Sequence, residues 1–299
     1  MESEQGPPSA MHFERVSSDG TESAFPGVAA GGLPTNPEAS GGGAVFPHAV
    51  SPSLRPWTPG AAPAFEIKFL MDEACAHDIE LRLKSQMSLD PHADPALGNA
   101  YRTTTVYCET PEFDVFRGLG IHKCRKFRLR CYAASPGVFL ERKTRRGQRV
   151  RKRRTAVVHG DLTRMAQSPV EDWSAGWFHR QVSSRRLSPI CSVQYVRTAY
   201  VGEAEEGPMR LTFDRHLRGA ATADWFPEFS ADGILFLPDQ VICEFKFRAA
   251  LPAMFKSVIE ELQLVPAKVS KYRRCLEALG LAGLARDVRY SAPSGTEHV

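Results

Sequence analysis

The stretch that decides the fold runs from residue 123 to residue 154 and reads KCRKFRLRCYAASPGVFLERKTRRGQRVRKRR. Side chains alternate between the two faces of a β-strand, so residues two apart share a face. Lys126, Arg128 and Arg130 therefore lie on one face of a strand, with Phe127 and other apolar side chains on the opposite face. The pattern predicts a strand with one cationic face and one apolar face.

The second half of this stretch predicts a hairpin of two further strands. Glu141 and Lys143 share a face before a turn at residues 145–148, and Lys152 and Arg154 share that same face after it. The hairpin would turn a second set of cations toward solvent: Arg149, Arg151 and Arg153. A run this basic is also typical of nucleic-acid binding. The strand pattern explains the run without a nucleic acid, so we expect no nucleic-acid partner.

Two distant segments repeat the alternation. Glu66 and Lys68 share a face near the start of the folded region, and Glu244 and Lys246 share a face near its end. A half-exposed antiparallel sheet would explain any one such strand. Several strands with mostly cationic faces, each with a carboxylate among the cations, favour a closed barrel with a charged lumen. Clustered lysine and arginine would need a polyanion, and glutamate among them suits a divalent metal ion.

Composition limits the class of protein and its organisation. The 299 residues are 42% hydrophobic and 24% charged, as in a soluble globular protein, and the net charge is only +4. Residues 1–62 are rich in Gly, Pro and Ala, which predicts a disordered segment. We expect a folded domain over 63–280 and a flexible tail over 281–299. Neither a signal peptide nor an apolar run of about 18 residues is present, which predicts a soluble, cytoplasmic protein.

The order of the elements predicts the α+β class, an antiparallel barrel of about eight strands with flanking helices. Asp72 is a suitable N-cap for a helix that continues through about Met87. A final helix is predicted over 252–279, with Pro266 interrupting it. There is no βαβ rhythm and no glycine-rich nucleotide-binding motif, which argues against a Rossmann fold.

These strands, taken together, resemble the VTC domain. The resemblance covers about residues 63–280 in the order of the family, and the VTC domain is the catalytic unit of polyphosphate polymerases. It belongs to the triphosphate tunnel metalloenzymes, together with CYTH-type triphosphatases and adenylate cyclases. The motifs that carry the resemblance are Phe-Glu-Ile-Lys-Phe (65–69), Lys-Phe-Arg-Leu-Arg (126–130), Leu-Glu-Arg-Lys (140–143), Arg-Lys-Arg-Arg (151–154), Tyr-Val-Arg-Thr-Ala-Tyr (195–200), Arg-Leu-Thr-Phe-Asp (210–214), Glu-Phe-Lys-Phe (244–247) and Ser-Lys-Tyr (270–272).

The resemblance implies a tunnel that holds a phosphate chain, and it implies roles for individual residues. Glu244 would hold Mn²⁺ or Mg²⁺, with Glu66 and Glu141 as helpers, and Lys271 would close over one tunnel mouth. The cations expected to act on the reacting phosphates are Lys68, Arg128, Arg130, Lys143, Arg197 and Lys271. Further phosphate-binding candidates on lumen faces are Lys126, Lys152, Arg154, Arg210 and Lys246.

The activity implied by the resemblance is transfer of the γ-phosphate of ATP to a growing polyphosphate chain. One departure bears on this activity: triphosphatase relatives begin with Glu-x-Glu-x-Lys, whereas Ala64 stands at the first glutamate position here. The loss of a carboxylate weakens activation of water, which favours polymerisation over hydrolysis. A metal-dependent triphosphatase and a non-catalytic polyphosphate or nucleotide sensor remain as alternatives.

A second departure from the family concerns the segments that flank the domain. Eukaryotic polymerases of the family carry transmembrane helices that export the product, and no such segment is found in this sequence. Either the polyphosphate stays in the cytosol or a separate membrane protein receives it, and the sequence leaves both open.

Overall fold

An antiparallel sheet that curls into a barrel dominates the part of the chain that the computed structural model describes, residues 64–132, 137–147, 149–169, 171–229 and 232–287. Its strands are β1 (Ala64–Met71), β2 (Ser88–Leu89), β3 (Ala100–Glu109), β4 (Arg125–Tyr132), β5 (Gly137–Arg146), β6 (Arg149–Val158), β7 (Ser188–Ala204), β8 (Gly207–Ala221), β9 (Ile234–Leu235) and β10 (Val241–Phe247). The α-helices are α1 (Glu73–Leu83), α2 (Asp114–Arg117), α3 (Gly176–Ser183), α4 (Ala253–Glu261), α5 (Lys271–Ala278) and α6 (Leu281–Asp287).

The barrel closes through eight of these strands. They pair in the order β7-β3-β4-β5-β6-β1-β10-β8, and β8 pairs back with β7 to complete the ring. The two-residue strands β2 and β9 add to the outsides of β7 and β8. This confirms the predicted α+β class and antiparallel barrel. Closure pairs the backbone of each barrel strand on both sides, so only side chains point into the lumen.

The contact between β1 and β6 is the shortest of the eight seams in the described residues. β1 pairs with β10 over seven positions, from Phe65 opposite Phe247 to Met71 opposite Val241. Its pairing with β6 covers two positions, which join residues 64 and 65 to residues 150 and 149. β1 is therefore anchored mainly by the C-terminal strand of the barrel.

Apolar residues on the outer faces of the strands pack under the helices in two clusters. In the first, Phe127 of β4 contacts Phe178 of α3, with ring centroids 5.9 Å apart. In the second, Phe245 of β10 stacks on Phe255 of α4 with centroids 4.4 Å apart, and Ile79 of α1 lies in the same cluster. These two contacts lie outside the barrel wall, so the polar face of each strand is left for the lumen.

The first predicted helix is confirmed at its start. The carboxylate of Asp72 accepts a hydrogen bond from the Cys75 amide at 2.8 Å, which caps α1. The helix ends at Leu83 and continues as a 3₁₀ turn over Lys84–Gln86.

The C-terminal region differs from the prediction of one interrupted helix. The chain forms α4 and α5, and residues 262–270 between them form a turn and a segment without regular secondary structure. This segment is held against β1 because the Ala267 amide donates to the Lys68 carbonyl at 2.7 Å. Helix α4 ends before Gln263, whose φ is +50°, and Pro266 then disfavours helical backbone in the residue before it.

The two ends of the chain can be compared only in part with the sequence predictions. Helix α6 covers the start of the predicted flexible tail, and the rest of the tail lies outside the described residues. The predicted disordered segment 1–62 also lies outside them. None of the described helices combines the length and apolar character needed to cross a bilayer.

Candidate active site

The lumen encloses a cavity of about 490 Å³. Twelve of the residues predicted for the site line this cavity: Glu66, Lys68, Lys126, Arg128, Arg130, Lys143, Lys152, Arg197, Arg210, Glu244, Lys246 and Lys271. Two are placed elsewhere. Glu141 is fully buried behind Arg128 and Lys152, and the Arg154 guanidinium lies over the Phe139 ring, 4.4 Å from its centroid.

Glu244 is the centre of a lysine cluster. Its carboxylate lies 3.0 Å from Lys68 Nζ, 2.6 Å from Lys246 Nζ and 3.7 Å from Lys271 Nζ. The register explains the first contact, because Lys68 of β1 stands opposite Glu244 of β10. Burial opposes ionisation of Glu244, but the surrounding lysines outweigh it and hold the pKa of this carboxyl well below its usual range.

Glu66 and Glu244 converge on one point of the lumen, which is occupied by the Lys68 ammonium. Glu66 lies 3.3 Å from Lys68 Nζ and 3.0 Å from Lys143 Nζ. Mg²⁺ in phosphoryl-transfer sites is commonly held by one or two carboxylates together with phosphate oxygens of the substrate. Among the described residues, no group of three or more His, Cys, Asp or Glu side chains could hold a metal ion. The two carboxylates fit a metal that completes its coordination with substrate.

Glu141 has a different environment. One of its oxygens lies 2.7 Å from Arg128 and the other lies 3.0 Å from Lys152, and none of its side chain is exposed. Both oxygens are thus engaged by side chains that face the cavity. The contacts favour a role in orienting these two cations, and the metal role of Glu141 stays a prediction from the resemblance.

Asp214 belongs to the site, although the sequence analysis did not select it. It binds Arg197 through two contacts of 2.5 and 2.7 Å and lies 2.5 Å from Lys271 Nζ. Burial raises the pKa of Asp214, but Arg197 and Lys271 outweigh that effect and lower it to about 2. The sequence does contain a signal for Asp214, because strand alternation places it on the same face of β8 as Arg210 and Thr212.

The family model of the VTC domain matches residues 64–280, which span the whole barrel and reach past α5. The chain belongs to the VTC domain family. This confirms the family resemblance described from the motifs. No curated protein sequence matched the chain.

Several solved structures are similar to the VTC barrel of this chain. A Hippeastrum protein described as a candidate adenylyl cyclase with a dominant triphosphatase activity is 14% identical, with a TM-score of 0.43; the match covers 74% of this chain and 96% of that one. A candidate adenylate cyclase of Vibrio parahaemolyticus is 12% identical, with a TM-score of 0.41 over 72% and 98% of the two chains. A Pyrococcus horikoshii protein is 11% identical, with a TM-score of 0.38 over 72% and 99%.

Arg210 of the VTC tunnel is positioned by residues that the sequence analysis did not associate with the site. Its guanidinium lies 2.8 Å from the Asp90 carboxylate and donates to the Tyr101 hydroxyl at 2.9 Å. Asp90 follows β2 in a loop, where no strand alternation indicates its direction. Arg130 is also held in place, but by a neutral partner: its Nε donates to Thr105 Oγ1 at 3.0 Å.

The start of α5 is anchored at the VTC tunnel by two polar contacts. Lys126 Nζ donates to Ser270 Oγ at 2.7 Å, and the same hydroxyl caps α5 by accepting from the Arg273 amide. The Tyr272 hydroxyl donates to the buried carboxylate of Glu109. Glu109 also accepts backbone amide hydrogens at residues 110, 115 and 116 and thereby joins α5 to α2.

We expect Tyr272→Phe to lower both the free energy of unfolding and the affinity for tripolyphosphate. A hydrogen bond to a charged group contributes about 1.5–3 kcal/mol, and its loss would loosen the helix start that carries Lys271. Urea unfolding and calorimetric titration measure the two effects. Tyr200→Phe is the matched control. The Tyr200 hydroxyl donates to the Glu80 carboxylate at 2.6 Å, and this hydrogen bond lies away from the lumen. Equal losses of tripolyphosphate affinity in both variants would contradict the anchoring role.

Three lysines of the VTC tunnel are held partly neutral by their surroundings. Burial is the largest cause of the lowered pKa of each lysine, and neighbouring cations lower it further. Glu66 opposes this effect at Lys143, and Glu141 opposes it at Lys152. The pKa falls to about 7 for Lys126 and Lys152 and to about 8 for Lys143. The lumen is thus lined by more cationic groups than its carboxylates can neutralise.

We therefore expect tripolyphosphate binding to take up protons at about pH 8. An anion raises the pKa of a neighbouring lysine, so groups that are mostly neutral in the free protein become charged in the complex. The linkage disappears near pH 6, where these lysines are already protonated, and affinity falls as pH rises above 7. Titration calorimetry in buffers of different ionisation enthalpy measures the uptake. Lys126→Gln should reduce it, and an unchanged proton count in that variant would refute the assignment.

Proposed function

We propose that this VTC tunnel transfers the γ-phosphate of ATP to the end of a growing inorganic polyphosphate chain, with Mn²⁺ or Mg²⁺ as cofactor. The observation that carries the proposal is the charge balance of the enclosed lumen. Glu66 and Glu244 are each shared by several lysines, and further cations such as Arg130 have neutral partners. A chain of phosphates supplies the missing negative charge along the length of such a cavity.

The side chains support this chemistry by orienting cations before substrate arrives. Arg128 is fixed by Glu141 and Arg197 by Asp214, and both guanidiniums face the cavity. Phosphoryl transfer depends mainly on alignment and on stabilisation of charge, which preorganised cations provide. A terminal phosphate oxygen is already anionic at neutral pH, so the nucleophile needs no dedicated base.

The carboxylate pair on β1 and β10 is our candidate for the metal site. Glu244 and Glu66 would hold Mn²⁺ or Mg²⁺ together with phosphate oxygens, and Lys68 would share the same carboxylates. A metal ion bound there supplies charge neutralisation and a template for the phosphate oxygens. Ala64 lies at the cavity wall where triphosphatase relatives carry a further glutamate, which supports transfer to phosphate over transfer to water.

The direct test is to incubate purified protein with ATP and Mn²⁺ or Mg²⁺ and to quantify long-chain polyphosphate, ADP and free phosphate. We expect polymer with one ADP formed for each phosphate added. Arg128→Ala should lower the rate by about a hundredfold or more, because a preorganised charge is lost. The matched control is Arg82→Ala, an exposed arginine paired with Asp78, which should leave the rate unchanged.

Two other results would replace the proposal. Free phosphate without polymer would assign a metal-dependent triphosphatase. Absence of both products, with retained tripolyphosphate binding, would assign a polyphosphate or nucleotide sensor.

A further inference from the structure

Four arginines form a cluster on the outside of the barrel, which we call the outer arginine cluster: Arg125, Arg142, Arg153 and Arg185. Arg142 of β5 stands directly opposite Arg153 of β6. Arg125 of β4 stands opposite Thr144, which is two residues from Arg142 on the same face of β5. Neighbouring strands lie about 5 Å apart, so these side chains are adjacent on the outer surface.

Neutral groups of α3 and the turn after it hold three of these guanidiniums in place. Arg142 donates to the Gln181 side chain at 2.8 Å, and Arg185 donates to the Gln181 carbonyl at 3.1 Å. Arg153 lies over the Trp177 ring, 4.2 Å from its centroid. The cluster is thus ordered without a carboxylate in these contacts.

In the described part of the chain, no ion pair joins an arginine of the cluster to a carboxylate. Burial, together with Arg125, Arg153 and Arg185, lowers the pKa of Arg142. Within the described residues, the buried Nε atoms of Arg142 and Arg185 have no hydrogen-bond acceptor. Like charges held side by side with unused donors are typical of a surface that binds an anion.

Two carboxylates near the cluster, Glu112 and Asp114, form no ion pair with its arginines among the described contacts. Glu112 pairs with Arg186 at 2.5 Å. Asp114 lies close enough to His122 to raise the pKa of that imidazole, but burial, Arg185 and Arg125 outweigh it and lower the pKa.

The outer arginine cluster is continuous with one mouth of the tunnel. Arg125 also lines the cavity, and Lys123 and Arg145 belong to the same lining. Cations therefore extend from the lumen, over the end of β4 and β5, onto the outer face of the barrel. A chain of phosphates longer than the tunnel would meet this surface on leaving it.

We propose that the outer arginine cluster binds the part of a polyphosphate chain that extends out of the tunnel. The identity of the ligand rests on the proposed function, whereas the binding itself needs no turnover. A single-stranded nucleic acid is the competing ligand. It is disfavoured because Trp177, the aromatic ring within the cluster, is covered by Arg153 and offers no free face for a base to stack on.

The test compares two ligands in the absence of ATP and metal. Tripolyphosphate probes the lumen, and long-chain polyphosphate probes the lumen together with the outer surface. The variant is Arg142→Gln/Arg153→Gln/Arg185→Gln, which leaves Arg125 in place because that residue also lines the cavity. Its matched control is Arg82→Gln/Arg164→Gln/Arg274→Gln, which removes the same charge from exposed ion pairs elsewhere.

We expect the cluster variant to bind long-chain polyphosphate about tenfold more weakly, with a shallower salt dependence, because phosphate contacts that release counterions are lost. Its affinity for tripolyphosphate should equal that of the parent protein, which also shows that the barrel is folded. The control variant should bind both ligands as the parent does. If the length-dependent loss appears while no polymer is made from ATP, the cluster assignment stands and the polymerase assignment fails.

Three results would overturn the inference. The first is unchanged long-chain affinity in the cluster variant. The second is an equal loss in the control variant, which would show an effect of net charge alone. The third is single-stranded DNA or RNA that binds the parent as tightly as long-chain polyphosphate and loses affinity in the cluster variant to the same extent, which would assign a nucleic-acid surface.

Discussion

Glu244→Gln is expected to lower the rate of phosphoryl transfer by about a hundredfold to a thousandfold while leaving tripolyphosphate bound. The substitution removes the carboxylate that we propose as the main metal ligand. It also removes the negative charge that Lys68, Lys246 and Lys271 share. The metal-dependent rate should therefore fall, and metal-free tripolyphosphate should bind at least as tightly as it does to the parent protein. Product assays and calorimetric titration without metal measure the two quantities separately.

Glu277→Gln is a suitable control for that experiment. Glu277 is an exposed carboxylate of α5 that pairs with Arg274, so its loss should change neither rate nor affinity. A Glu244→Gln variant that retains the parental rate would exclude a metal role for Glu244. One that loses both rate and tripolyphosphate binding would point to collapse of the lysine cluster.

Asp214→Asn is expected to produce the largest loss of stability, about 3–5 kcal/mol in the free energy of unfolding. Asp214 is fully buried and neutralises both Arg197 and Lys271, so the variant would leave the buried Arg197 without its carboxylate and Lys271 with the more distant Glu244 alone. Urea unfolding measures the loss. Asp161→Asn is the control, because Asp161 forms an exposed pair with Arg164 and should cost less than about 1 kcal/mol.

Ligand binding provides a second measurement on the same variant. Tripolyphosphate would return negative charge to the neighbourhood of Arg197 and Lys271, and a ligand that binds only the folded state stabilises it. We expect tripolyphosphate to raise the unfolding midpoint of Asp214→Asn by more than it raises that of the parent. An equal increase in both proteins would show that the ligand does not contact these two cations.

The alternation of side chains along the strands predicted most of the barrel and many residues of the site. Lys152 lines the cavity while its neighbours Arg151 and Arg153 are exposed, as a period of two requires. The same rule placed Glu66 with Lys68 on the lumen face. Asp214 obeyed this rule too, but a single carboxylate two residues from Thr212 gave no sign that it would meet cations from two other elements.

The remaining features depend on contacts between distant segments, which alternation does not report. Asp90 reaches Arg210 from a loop, and Glu109 reaches Tyr272 from the end of β3 across 163 positions of sequence. Glu141 shares its face with metal-binding candidates, yet its depth in the wall brings it against Arg128 and Lys152. The sequence thus shows on which face of a strand a side chain lies. How deep that side chain is buried in the barrel wall, and which side chains it meets across the barrel, depend on how the sheet closes.

The short seam between β1 and β6 has a consequence for the order of folding. β1 is made before the other barrel strands, yet its long partner, β10, is about 180 residues further along the chain. Contacts of such separation form slowly, so the ring is sealed late. The seam between β1 and β6 has only two paired positions in the described residues, so it should open most readily in the native state. Amides at this seam should exchange hydrogen fastest among the barrel strands. Lys143 of β5 reaches across this seam to Glu66, so a phosphate chain that draws Lys143 away would loosen the contact between β1 and β6.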